Sequence, residues 1–162
     1  MADPLAGLMG LLFRWSQNTT LGVIVRKSDS LFPIIEVVHL FGLTLLLGAV
    51  VAMNLRLLGF DASGRLETSQ GQGYTPLFWT ALAVTVVTGT VLFLAEPLKC
   101  YNNAAFLAKM ALLAVALLFH LTLHRWIRRS GDSTAAARRA VAVLSLALWF
   151  AVGVAGRFIG FI

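Results

Sequence analysis

Read from the N-terminus, apolar residues first gather in a short stretch, Leu5 to Trp15 (LAGLMGLLFRW), interrupted by Arg14. A bilayer crossing needs about 20 apolar residues, so this stretch is too short to span. Leu5 to Val25 is read instead as an amphipathic arm lying in the membrane interface, with Trp15 at headgroup depth. Four longer apolar runs follow. The first, Leu31 to Leu58, begins after the capping residues Ser28, Asp29 and Ser30, tolerates Pro33 in its first turn and is closed by Gly59. A Gly-, Ser- and Gln-rich segment, Phe60 to Thr75, leads into the second run, Pro76 to Ala95, which Glu96-Pro97 ends. The third, Asn102 to Trp126, takes its cap from Asn102 or Asn103. A basic connection, Arg125 to Arg139, then precedes the fourth, Ala140 to Ile162. The pattern predicts an all-α integral membrane protein. Residues 1–30 form an interfacial arm with an amphipathic helix, and residues 31–162 form a four-helix bundle spanning at 31–58, 76–95, 102–126 and 140–162.

Composition strengthens this picture. Hydrophobic residues make up 59% of the chain and charged residues 12%, whereas an average soluble domain carries roughly 25% charged residues. A soluble globule of 17.5 kDa has too little interior for that apolar surface. Disorder needs the opposite balance. The net charge of +6 comes without a basic stripe interleaved with aromatics, so it points to anionic lipid headgroups and not to nucleic acid. Nothing at the start reads as a cleavable signal peptide. The single Cys100 permits neither an intrachain disulfide nor a CxxC metal site. Arg14, Arg26, Lys27, Lys99 and Arg157 fall on one side of the membrane. Arg56, Arg65 and the arginines of the third connection fall on the other, heavier side, which is expected to be cytoplasmic.

Ionisable groups within the spans are the candidates for function, because lipid tolerates them poorly. They are Glu36 and His39 in the first span, Lys109, His120 and His124 in the third, and Arg157 in the fourth. Thr80, Thr85, Thr88 and Thr90 in the second are expected to bond their own backbone. At about 1.5 Å of rise per residue, His39, Lys109, Glu36 and Arg157 fall in one layer about 7–13 Å outside the midplane. His120 falls about 9 Å inside it, with His124 near the inner headgroups. Glu36 and His39 share a face at i,i+3 spacing, and Lys109 and His120 share a stripe eleven residues apart. Plainer roles exist for most of them. Arg157 can snorkel, His124 can sit at the interface, Glu36 can complement a helix dipole, and either buried histidine can make an interhelical hydrogen bond. Lys109 is the hardest to place in this way, and Glu36 is its favoured acidic partner.

The stretches IEVVHLFGLTLLLGAVVAMNLRLLG (35–59), NNAAFLAKMALLAVALLFH (102–120) and LWFAVGVAGRFIG (148–160) resemble a family of small, functionally unassigned bacterial four-helix membrane proteins. More distantly they resemble the membrane domain of copper-resistance D proteins and the membrane protoporphyrinogen oxidase, a haem b protein. His39 matches the early first-helix histidine of that oxidase, and Lys109 with His120 matches its Lys and His eleven residues apart. The resemblance implies a tetrapyrrole site in a multi-pass protein of the bacterial inner membrane. With the heavier basic side inside, both termini are periplasmic.

Three functions are weighed on these residues. The first is a b-type haem protein passing electrons between a quinone and a partner redox subunit. His39 and His120 are its candidate iron ligands, and Lys109 or Arg157 would pair with the propionates. The small residues Ala111, Ala114 and Ala116 are read as room for the macrocycle. The two histidines differ by about 18 Å in depth, so they do not clamp one iron together. Either His39 ligates alone or with another partner, or His120 defines a second, inner site with His124 or a solvent ligand. His39 is preferred, because Lys109 lies at its level. The second function is a copper or small-solute protein using His39 with Met110, or Met53 with His120. The third is a cofactor-free accessory subunit that docks into a larger complex or a homo-oligomer.

Overall fold

Long runs of Leu, Val, Ala and Phe leave the backbone one local way to pair its amides away from water, the α-helix. The computed structural model of the chain describes residues 10, 13, 15–58, 74–101, 103–129 and 134–158, without the side chains of 101 and 124–129. Helix α1 is Thr20–Lys27, α2 Leu31–Leu57, α3 Thr75–Ala95, α4 Pro97–Tyr101, α5 Ala104–Arg129 and α6 Ala135–Phe158. Helices α2, α3, α5 and α6 are each long and apolar enough to cross a membrane. The protein is an all-α, multi-pass membrane bundle. Large side chains such as Phe41, Val87 and Leu118 point outward from it, as a lipid solvent requires.

Polar caps set the helix starts. The Leu31 amide donates to Ser28 Oγ at 3.3 Å, and the Phe106 amide donates to Asn103 Oδ1 at 3.1 Å. The Ala137 amide donates to Thr134 Oγ1 at 3.3 Å. Two boundaries differ from expectation. Helix α5 runs to Arg129 and α6 starts at Ala135, so Arg128, Arg129, Arg138 and Arg139 are helical rather than part of a loop. Hydropathy falls at these arginines, but Ala and Arg are both good helix formers, so the helix outlasts the apolar run. The first part of the expected arm (1–9), most of the first connection (59–73), the tip of the third (130–133) and the end of the fourth span (159–162) lie outside the described residues.

In the bundle α3 packs on α2, α2 on α6, and α6 on α5. The α2–α3 seam is close because Gly42 faces Thr85. A Cβ at Gly42 would sit 2.8 Å from Thr85 Oγ1. Helices α3 and α5 meet differently, through rings: Phe78 on His120 near one end and Phe93 on Phe106 near the other. The buried core joins Leu46 and Val50 of α2, Phe78 and Leu82 of α3, Ala116 of α5, and Trp149 and Val152 of α6.

The described part of the arm is docked on the bundle. Helix α1 packs on α3, where Val25 is buried, and Phe13 meets Phe93 edge-on at 5.3 Å. Arg26 Nε donates to the Ala95 carbonyl at 2.7 Å, and Nη2 donates to the Gln17 carbonyl at 3.0 Å. A residue expected only to set topology thus caps the C-terminus of α3 with positive charge. Trp15 remains outward-facing.

Candidate functional site

His39 lies about two turns into α2, facing α3. Its Nδ1 is 2.9 Å from Thr88 Oγ1. The Thr88 hydroxyl has one proton, and it donates that proton to the Val84 carbonyl at 2.7 Å. The Thr85 carbonyl is a second acceptor for the same hydroxyl, at 3.3 Å. That bonding leaves the Thr88 oxygen able to accept from Nδ1, an arrangement suited to the Nδ1–H tautomer of His39. This tautomer leaves the lone pair on Nε2. A histidine oriented through Nδ1–H with a bare Nε2 has the arrangement of a metal ligand. Gly89 makes the approach possible: a Cβ there would lie 3.0 Å from His39 Cε1.

Lys109 stands on α5 at the same end of the bundle. Its stem lies along Gly156 of α6, where a Cβ would be 3.4 Å from both Cε and Nζ. Its charge is within electrostatic reach of His39 and of Cys100. All four spanning helices contribute here: His39, then Thr88 with Gly89, then Lys109, then Gly156.

Glu36 is not the partner of Lys109. It is exposed, and no ion pair joins the two. It stands one turn nearer the membrane surface than His39, where water solvates a carboxylate, while the Lys109 stem is held against α6. The carboxylate that is paired at this end is Glu96, 2.6 Å from Lys99 Nζ. Arg157 is exposed beside Gly156. Cys100, in the short α4 outside the spans, is half-buried. Burial pushes its thiol up, the Glu96 carboxylate adds to this, and Lys109 and Lys99 oppose it.

His120 belongs to a different layer. Its ring stacks on Phe78 with centroids 4.0 Å apart and planes 16° from parallel. Trp149 and Trp79 present their planes nearly at right angles, at 6.4 and 6.5 Å. The residue is 3% exposed, which leaves no slot for a flat cofactor against this ring. Thr88 and Phe78 are ten residues apart on α3, so His39 and His120 are separated by about 15 Å along the bundle. The structure does not bring the two together. The alanines expected to make room also diverge. Ala116 is in the core, but Ala111 and Ala114 are exposed, because their spacing from Ala116 turns them to another face. His124 is helical, and its side chain lies outside the described residues.

Sequence reasoning missed two contacts. One is Thr88 as the partner of His39. The other is Asn54 Nδ2, which donates to Ser145 Oγ at 3.1 Å and to the Val50 carbonyl at 2.8 Å, tying α2 to α6 inside the core. A small hydroxyl in an apolar span, as at Ser145, was the available signal. Thr80, Thr85 and Thr90 bond their own backbones, as expected. Among the described residues no three His, Cys, Asp or Glu side chains converge on a possible metal ion.

No curated protein and no solved structure matches the chain. Residues 12–162 match DUF6644, a family of unknown function, and the match takes in the docked part of the arm and all four spanning helices. The chain belongs to the DUF6644 family.

Proposed function

We propose that this protein is a membrane-embedded redox protein that holds a b-type haem through His39. The observation that carries the reading is the contact of His39 Nδ1 with Thr88 Oγ1 at 2.9 Å, with the Thr88 hydroxyl bonded to its own backbone; the Nδ1–H tautomer that suits this contact leaves the Nε2 lone pair for a ligand. Nε2 would hold the haem iron, with Thr88 positioning the imidazole through Nδ1. Lys109, a cation held inside the membrane at the same end, would pair with a propionate, and Arg157 would offer a second cation nearer the surface. One-electron transfer is the chemistry that haem supplies when bound. Gly89 keeps α3 close without crowding the ring. The distant resemblance to the haem-containing protoporphyrinogen oxidase accords with this choice at His39 and Lys109. His120, closed in by Phe78, is assigned a packing role. A quinone in the bilayer and a redox partner, or a second copy of the chain, are the electron donors and acceptors proposed with it. The proposed location is a bacterial inner membrane with the termini on the periplasmic side.

The test is the visible spectrum of the detergent-purified protein, oxidised and then reduced with dithionite. The wild type should show a Soret band and sharp reduced α and β bands. His39→Ala should lose them while still inserting, and His120→Phe should keep them. A normal spectrum in His39→Ala defeats the assignment. The His39–Thr88 contact is equally the interhelical bond of a cofactor-free accessory subunit, and a colourless wild-type protein would favour that second reading.

A further inference from the structure

Helix α2 ends and α6 begins at the same end of the bundle, far from His39. Between them lies a cleft of about 350 Å³ lined by Arg56, Leu57, Leu58, Ala135, Arg138 and Arg139. The guanidiniums come from two helices. Arg56 lies over the Tyr74 ring in a cation–π contact, with Cζ 4.8 Å from the ring centroid. Arg138 and Arg139 stand at the start of α6, where the N-terminal end of the helix dipole adds positive potential. Asp29, Glu36 and Glu96, the acids among the described residues, all belong to the opposite end of the bundle. Among the described residues the charged groups lining the cleft are therefore cations alone, three arginines, and it sits where a span meets the headgroup region.

Its other walls are apolar. Leu57 and Leu58 complete the lining, and Leu57 is the last residue of a membrane-crossing helix. A phosphate alone would satisfy the arginines and leave the leucines facing water. A phosphate carrying acyl chains satisfies both. We propose that this cleft binds the phosphate of an anionic phospholipid, with Arg56, Arg138 and Arg139 around the headgroup and the chains leaving over Leu57 and Leu58. The occupied site ties the end of α2 to the start of α6.

The experiment is thermal unfolding of the full chain in a neutral detergent, titrated separately with phosphatidylglycerol, phosphatidylcholine and inorganic phosphate. Phosphatidylglycerol should raise the midpoint saturably, and the other two should not. The double variant Arg138→Gln/Arg139→Gln should need about tenfold more phosphatidylglycerol for half the effect. Lys27→Gln, at the opposite end, should respond like wild type. Equal stabilisation by phosphatidylcholine, or an unchanged response in the double variant, overturns the proposal. A rise with inorganic phosphate that matches the lipid assigns a soluble anion and overturns it too. Native mass spectrometry of the wild type supplies a reading free of any variant: retained phosphatidylglycerol adducts support the site, and indifference between the two lipids rejects it.

Discussion

At the scale of single residues, what distinguishes His39 is one hydroxyl on a neighbouring helix. Thr80, Thr85, Thr88 and Thr90 look alike in the sequence, and each returns its proton to its own backbone. Only the register of α2 against α3 selects Thr88 to receive Nδ1–H. That is why His39 was legible as a candidate and its partner was not. Thr88→Val keeps the shape and removes the acceptor. It should lower the haem-to-protein ratio several-fold in a pyridine haemochrome assay, and cost about 1 kcal/mol of stability through the lost interhelical bond. A wild-type ratio in that variant would mean that the ring is oriented by packing alone. His120 teaches the converse. Burial of a histidine was readable from its place in a span, but the Phe78 stack that makes it a packing ring depends on α3 facing α5, and no local pattern states that.

At the scale of elements, the spans were readable because the bilayer imposes length and apolarity on every one of them. The ends were harder. Hydropathy stopped at Ala140, yet α6 begins at Ala135, since a Thr134 cap and an alanine run suffice to start a helix ahead of two arginines. The arm shows the same limit. Its amphipathic character was visible, but its attachment rests on Arg26 reaching the Ala95 carbonyl, 69 residues away in sequence. Arg26→Gln removes the charge at that helix end. It should destabilise the fold by about 1 kcal/mol and release the arm to proteolysis before the bundle unfolds. If limited proteolysis cuts wild type and variant at equal rates, the arm is held by Val25 and Phe13 rather than by the arginine.

At the scale of the whole molecule, the described acids gather at one end while basic residues stand at both. The described carboxylates lie at one end, with His39 and Lys109 nearby, while Arg56, Arg138 and Arg139 lie at the other. Short basic segments favour the cytoplasm, so the α5–α6 connection should be inside. Ser133→Cys in a Cys100→Ser background should resist a membrane-impermeant thiol reagent in intact cells and react after lysis. Ready labelling in intact cells would reverse the orientation.

The ring-only meeting of α3 with α5 has a mechanical consequence. The α2–α6 seam acts as the spine of a book, and the α2–α3 and α6–α5 pairs are its covers. Among the described residues, the ring contacts that clasp the open edge are Phe78 and Trp79 against His120, and Phe93 against Phe106. Thermal motion should therefore part the molecule there first, toward the lipid. Spin labels across the α3–α5 edge should give a broader distance distribution than labels across the spine, and Phe93→Ala should broaden it further. Equal widths on both sides would show a bundle that flexes evenly.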